Sequence, residues 1–163
     1  MVTGAGRGIG RAIAIALANA GCEIRVTARS IDQLTAVRQE ILSSHGKVVA
    51  IPADLTRDDE LESLVRSCGP VDILINNAGW GKRAPVVRAK VEDWDQTLRL
   101  NLRAPMILAQ KLLPAMIEKG DGAVINIGSV SGKSGEANGA AYSASKFGLI
   151  GFTQSLFEEV REY

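Results

Sequence analysis

Apolar and polar residues follow two alternating patterns along this chain. Short apolar runs, several rich in Ile and Val, predict strands over residues 23–28, 47–51, 71–75 and 122–127. Longer helical patterns predict helices over an alanine-rich run that ends near residue 20, then over residues 30–45, 56–68, 91–119 and 140–161. Ser30 and Thr56 are expected to cap two of these helices, and Pro105 to kink the long one.

The regular alternation of strands and helices predicts the fold class. Apolar strands joined by helices are typical of a parallel sheet that is covered on both faces. We therefore expect an α/β, doubly wound (Rossmann-type) fold, with residues 1–163 forming one domain. A strand should precede the glycines that begin at Gly4, but only three residues do so. Most of that central first strand, and the strands that would follow the last helix, are expected to be missing.

Composition narrows the possible functions. The formal net charge is +1, so bulk electrostatics favours neither nucleic acid nor an acidic membrane as a partner. Two cysteines, Cys22 and Cys68, and one histidine, His45, provide neither a disulfide framework nor a metal site. No apolar run approaches the roughly 18 residues of a membrane span. We expect a cytoplasmic protein without a metal.

The first glycine-rich segment predicts a nucleotide site. It has Gly4, Gly8 and Gly10, with Ile9 where the Gly-x-Gly-x-x-Gly pattern has its third glycine, and it lacks the Gly-Lys-Ser/Thr of a Walker A loop. Glycines before a helix let the backbone approach a pyrophosphate and present free N–H groups at the positive helix end.

Arginines, rather than acids, stand where such folds select their cofactor. NAD-binding proteins place Asp or Glu at the end of the second strand, where it holds a ribose hydroxyl. Here that strand is followed by Arg29, and Arg7 lies in the glycine-rich segment. Because guanidinium groups pair well with phosphate, the sequence favours NADP over NAD.

A tyrosine and a lysine lie four residues apart in the last predicted helix. Tyr142 and Lys146 therefore share one helix face, a turn apart. A nearby ammonium stabilises a phenolate, so such a pair can act as a general acid/base near neutral pH. Isolated pairs of this kind also occur by chance on helix surfaces, and the rest of the chain has to decide between the two interpretations.

Five motifs in order make the chain resemble the short-chain dehydrogenase/reductase family, in its standard-length Tyr-x-x-x-Lys branch. They are Thr3-Gly4 with Gly8 and Gly10, Asn76-Asn77-Ala78-Gly79, Asn101, Ser129, and Tyr142 with Lys146. The extended epimerase branch shares the Tyr-x-x-x-Lys pair but expects a different glycine spacing and a longer second half.

The resemblance implies a role for each matching residue. Tyr142 would be the acid/base, Lys146 would assist it and hold the nicotinamide ribose, and Ser129 would steady the substrate oxygen, with Ser131 as the nearby alternative. Asn101 would disturb the long helix and hold a water for proton relay to Lys146. The cofactor-binding residues would be Gly4, Arg7, Gly8, Ile9, Gly10, Arg29, Asp54, Leu55, Asn77, Ala78, Gly79, Tyr142 and Lys146.

The family also implies an activity and an assembly. The expected reaction is hydride transfer between NADP(H) and a small carbonyl or secondary alcohol, in a homodimer or homotetramer packed through helices 91–119 and 140–161. The alternative is a truncated, inactive chain that binds nucleotide or associates with full-length subunits. The resemblance implies that the segment that chooses the substrate lies outside these residues, so the sequence is not expected to name the substrate.

Overall fold

Five short strands alternate with helices in a computed structural model that describes residues 1–163. The strands are β1 (Val2–Thr3), β2 (Glu23–Thr27), β3 (Lys47–Ala50), β4 (Ile73–Asn76) and β5 (Ala123–Asn126). The helices are α1 (Gly8–Asn19), α2 (Ile31–Ser43), α3 (Asp58–Cys68), α4 (Val91–Leu98), α5 (Ala104–Lys119) and α6 (Ala140–Val160). None of them combines the length and apolarity that a membrane crossing requires.

The strands form one parallel sheet in the order β3-β2-β1-β4-β5. The strand order reverses at β1, which is the arrangement of a doubly wound fold. As predicted, β1 is short and central: it pairs through Val2 and Thr3 with β2, and through Val2 with Ile75 of β4. The predicted fold class is confirmed.

Two apolar clusters cover the two faces of the sheet. On one face, α1 and α2 bury side chains such as Ala14 and Leu34 against Val26 of β2. On the other, α3 and α5 bury Leu61 and Leu108 together with Leu74 of β4. Each fully buried leucine contributes about 1.5–3 kcal/mol relative to exposure. The clusters therefore hold the helices in place and leave the carboxyl ends of the strands free for a site.

Two predicted helix bounds are corrected by backbone geometry. Helix α2 ends at Ser43, not at residue 45, because His45 adopts a left-handed conformation (φ 60°) and the Gly46 amide donates back to the Ile41 carbonyl. Helix α3 starts at Asp58, and Thr56 does not cap it. The Thr56 hydroxyl donates instead to Asp54 Oδ1 at 2.8 Å, within the turn that precedes the helix.

The long helix predicted over 91–119 is present, but its middle is a π-helical segment, Arg99–Arg103, between α4 and α5. Pro105 follows it in the first turn of α5 and has no N–H to donate to the Asn101 carbonyl four residues earlier. The irregularity predicted at Pro105 therefore lies ahead of it, around Asn101. π-Helical segments of this kind often occur at functional sites.

Candidate active site

A cleft of about 560 Å³ opens at the carboxyl ends of the strands. It lies beyond the ends of β1 and β4, where the strand order reverses, which is the place at which doubly wound sheets bind ligands. Ten of the residues predicted to bind the cofactor line it: Gly4, Arg7, Gly8, Ile9, Arg29, Asp54, Leu55, Asn77, Ala78 and Gly79. Gly10, Tyr142 and Lys146 do not.

The glycine-rich loop is shaped by close backbone contacts. Gly4 has a φ of 63°, and a Cβ there would lie 2.8 Å from the Ala78 Cα. Gly10 lies in α1 behind the loop, where a Cβ would be 2.5 Å from the Gly4 carbonyl oxygen. Helix α1 begins at Gly8 without a side-chain cap, so its first N–H groups are available to an anion. The glycines thus allow the loop to approach both β4 and a ligand.

Asn77 braces the floor of the cleft. Its Nδ2 donates to the Thr3 carbonyl at 2.9 Å and to the Gly4 carbonyl at 3.3 Å. The Thr3 hydroxyl in turn accepts from the amides of Asn77 and Ala78, each at 3.0 Å. These bonds join the ends of β1 and β4, so the side chain of Asn77 is occupied in holding the two strands together.

Two cations lie at the end of the cleft beside β2. Arg7 and Arg29 are exposed, and neither takes part in an ion pair. Asp54 follows β3, the neighbour of β2, and uses Oδ1 to accept from the amide and hydroxyl of Thr56 at 3.0 and 2.8 Å. The guanidinium groups are thus free for an anionic ligand.

Tyr142 and Lys146 lie in the first two turns of α6, just beyond the cleft. Lys146 is 4% exposed, its Nζ donates to the Ile127 carbonyl at 2.7 Å, and it lies 5.9 Å from the centroid of the Tyr142 ring. Burial lowers the pKa of the Lys146 ammonium. The backbone after β4 connects the pair to the cleft: Gly79 lines the cleft, and a Cβ on Gly81 would lie 2.7 Å from Tyr142 Cδ2.

Asn101 is a buried tie between three segments. It lies in the π-helical segment and is 1% exposed. Its Oδ1 accepts from the Trp80 amide at 2.9 Å, and its Nδ2 donates to the Trp80 carbonyl at 2.9 Å and to Ser145 Oγ at 3.0 Å. The predicted disturbance of the helix is present. The side chain bonds Trp80 and Ser145 rather than Lys146, and the water relay stays a prediction.

Ser129 and Ser131 have different environments. Ser129 Oγ accepts from the Ser131 amide at 3.1 Å, and the protein provides no acceptor for its proton. Ser131 is 3% exposed, and its hydroxyl donates to Glu136 Oε1 at 2.7 Å. Of the two serines, Ser129 therefore keeps a free donor, as a group that steadies a substrate oxygen must.

Comparison with known proteins identifies the family. The family model described as "short chain dehydrogenase" matches residues 1–163, the whole chain. The chain belongs to the short-chain dehydrogenase family. It is 37% identical over 165 residues to a 3-oxoacyl-(acyl-carrier-protein) reductase of Synechocystis, with 98% of this chain and 67% of that protein covered. It is 40% identical over 164 residues to the reductase FabG of Escherichia coli, covering 98% and 66%.

Solved structures of the family have the same fold. A metagenomic short-chain oxidoreductase in complex with NADP superimposes with a TM-score of 0.93 at 41% identity, over 99% of this chain and 75% of that one. This short-chain dehydrogenase spans about two thirds of the length of the curated relatives it matches.

Sequence reasoning missed several side chains of this short-chain dehydrogenase. Ser30, Gln33 and Thr56 line the cleft, and Gln33 packs where a Cβ on Gly6 would be, 2.8 Å from its Oε1. Of these three, only Ser30 could have been found from the sequence, because it follows the end of the second strand, where such folds select their cofactor. Ser145 bonds Asn101, which is 44 residues away, and Glu136 bonds Ser131 within irregular backbone. No spacing pattern in the sequence reveals either contact.

Proposed function

We propose that this chain is an oxidoreductase that transfers hydride between NADP(H) and a carbonyl or secondary alcohol substrate. The observation that carries the proposal is the position of the Tyr142–Lys146 pair. It lies directly beyond a glycine-lined cleft at the switch point of the sheet. A dinucleotide in that cleft ends beside a phenol, which is the arrangement that hydride and proton transfer to one substrate require.

The cleft fits a dinucleotide with a 2′-phosphate. Close packing leaves no room for a side chain at Gly4 and Gly10, and the uncapped start of α1 suits a pyrophosphate. Arg7 and Arg29, which have no partner in the protein, would hold the extra phosphate of NADP. The relative in complex with NADP supports this choice over NAD.

The remaining cofactor contacts follow from the cleft lining. Asp54 and Leu55 would meet the adenine, and Ala78 and Gly79 would lie along the nicotinamide half. Lys146, just beyond the cleft, would hold the ribose hydroxyls, as the family resemblance implies. When bound, the nicotinamide supplies or accepts the hydride. Ile9 would contribute its backbone, since its side chain is largely exposed.

The protein's own residues would manage the proton. Tyr142 would donate its phenolic proton to the carbonyl oxygen on reduction and accept it back on oxidation. Ser129 would donate a hydrogen bond to the same oxygen, because its proton has no acceptor within the chain. Lys146 would favour the phenolate through its positive charge.

A ketone screen with a matched tyrosine control tests the proposal. The purified chain is given NADPH and a panel of ketones that includes a 3-oxoacyl thioester, the substrate class in the names of its relatives. We expect NADPH oxidation, reduced about 10²–10⁴-fold in Tyr142→Phe. The other tyrosine, Tyr163, is 69% exposed, and Tyr163→Phe should leave the rate unchanged. Turnover that survives Tyr142→Phe would contradict the proposal.

The second candidate function is nucleotide binding alone. In this alternative the chain binds NADP(H) in the cleft without turnover, either alone or with full-length subunits. NADPH binding by fluorescence, with no ketone reduced, would favour this alternative. Association through helices 91–119 and 140–161 is proposed for both functions, since Met106 and Phe147 expose apolar surface there. Light scattering of the purified chain measures the mass.

A further inference from the structure

Glu136 lies in the irregular segment that separates Ser129 from Tyr142. Between the short 3₁₀ turn Val130–Gly132 and α6, residues 133–139 form neither helix nor strand. Regular hydrogen bonding therefore does not fix the spacing between the two hydroxyl groups. Isolated turn bonds, such as that from the Gly139 amide to the Glu136 carbonyl, span only short parts of the segment, which leaves a role for side-chain contacts.

Glu136 bonds to both sides of the gap. Its Oε1 accepts from Ser131 Oγ at 2.7 Å, and Ser131 in turn donates its amide to Ser129 Oγ. The Glu136 amide donates to Ser143 Oγ at 3.3 Å, one residue after Tyr142. Ser131 and Ser143 are 3% and 6% exposed, so both bonds end on buried hydroxyls.

A third contact connects Glu136 to the loop after β4. Its carboxylate forms an ion pair with Arg83, in the loop after β4. The Ala84 amide next to Arg83 donates to the Asn138 carbonyl at 2.9 Å, so two contacts join the same two loops. The Ser131 hydroxyl and then the Arg83 guanidinium lower the pKa of the Glu136 carboxyl. Glu136 is therefore ionised at neutral pH and accepts both bonds.

We propose that Glu136 is a positioning residue, which sets the placement of Ser129 relative to Tyr142 through Ser131 and Ser143. The proposal rests on the proposed hydride-transfer function, because it assigns a use to the spacing of those two hydroxyls. Ser131 acts as the link, and Arg83 holds the outer oxygen of the carboxylate. Glu136 itself does not touch the substrate.

Three substitutions separate this role from a general effect on folding. Glu136→Ala removes both side-chain contacts. Glu136→Gln keeps an oxygen for Ser131 but loses the charge that pairs with Arg83. Glu118→Ala is the control, because Glu118 is exposed on α5 and forms no ion pair. For each variant, kcat, the Kd for NADPH and the melting temperature are measured.

We expect Glu136→Ala to lower kcat about 10-fold, since a small misplacement of reacting groups has effects of this order or greater. Its Kd for NADPH should stay within about twofold, because the cleft contacts are untouched. Glu136→Gln should keep at least about half of kcat. In the double variant Ser131→Ala/Glu136→Ala, kcat should fall no further than in Glu136→Ala, since both remove one connection.

A second readout does not depend on turnover. With ring-labelled tyrosine, each of the two tyrosines should give its own NMR signal, and Tyr142→Phe would assign them. Glu136→Ala should shift or broaden the Tyr142 signal and leave that of Tyr163 unchanged. If Glu136→Ala fails to fold, Ser131→Ala carries the same test, because it removes the same hydrogen bond.

Each outcome decides the proposal. An unchanged kcat together with an unchanged Tyr142 signal in Glu136→Ala would overturn it, and so would a Glu136→Gln variant as impaired as Glu136→Ala. If the wild type binds NADPH but reduces no ketone, the proposed function fails, and the NMR comparison still decides whether Glu136 positions Tyr142.

Discussion

Replacing Asn101 by alanine would release three segments of the site at once. The side chain is 1% exposed and makes three hydrogen bonds, two with the main chain of Trp80 and one with Ser145 Oγ. Alanine makes none of them. The variant therefore separates the loop after β4 from the π-helical segment, and that segment from α6.

The loss of stability in Asn101→Ala can be worked out from these hydrogen-bond partners. A buried polar group left without its partner costs about 1–3 kcal/mol. Trp80 is half-buried, so water reaches its main chain in part, and Ser145 Oγ keeps its own bond to the Tyr142 carbonyl at 2.7 Å. Taking about 1 kcal/mol for each of the three partner groups lowers the free energy of unfolding by about 3 kcal/mol. For a chain of this size, that lowers Tm by about 6–12 °C.

Thermal unfolding followed by circular dichroism measures the effect. Asn19→Ala is the matched control, because Asn19 is exposed at the end of α1 and should change stability by less than about 0.5 kcal/mol. Asn101→Asp should destabilise at least as much as alanine, since it loses both donors and buries a carboxylate. A melting temperature for Asn101→Ala within about 2 °C of the wild type would refute this reasoning.

Two further predictions concern charged side chains. Arg29→Asp should shift preference from NADPH towards NADH by at least about 10-fold in the ratio of Kd values, because a repelling carboxylate replaces the free guanidinium; an unchanged ratio would count against the NADP assignment. Burial lowers the pKa of Lys146, so the folded protein disfavours the charged form of this side chain. The stability of the wild type relative to Lys146→Met should therefore rise as pH increases from the lowered folded pKa towards the unfolded value of about 10.4. Urea unfolding of both proteins at pH 7 and near pH 10 measures this, and a constant difference would disprove it.

Local sequence patterns predicted the elements well, because strands and helix ends depend on nearby residues. Ser30 caps α2 as predicted, through its hydroxyl and the Gln33 amide. The predicted end of that helix at residue 45 was wrong. The helix stops at Ser43, because His45 takes a left-handed conformation that usually favours glycine. The prediction that Thr56 caps α3 was wrong, because its hydroxyl donates a hydrogen bond to Asp54 instead.

Contacts between distant residues were beyond such reasoning. Asn101 was placed in the site by the family motif alone, and its partners lie 21 and 44 residues away. Glu136 had no signal, because an acidic residue in a loop of small residues is typical of a solvated surface. Its ion pair with Arg83, 53 residues earlier, exists only once the loops after β4 and β5 are folded side by side. Its bond to Ser131 spans only five residues, but they lie in irregular backbone whose path no periodic pattern predicts.

The short central strand has a consequence for how the protein opens. Strands β2 and β3 pair over four residues, as do β4 and β5, whereas β1 pairs over two residues with β2 and one with β4. Hydrogen exchange should therefore show two separately opening units, β2–β3 and β4–β5. They meet at a joint made of the few backbone pairs of β1 and the hydrogen bonds between Asn77 and the end of β1. The cleft lies across that joint, with lining residues from both sides. A dinucleotide held there would couple the two units, so that both slow their exchange together as the ligand concentration rises above its Kd.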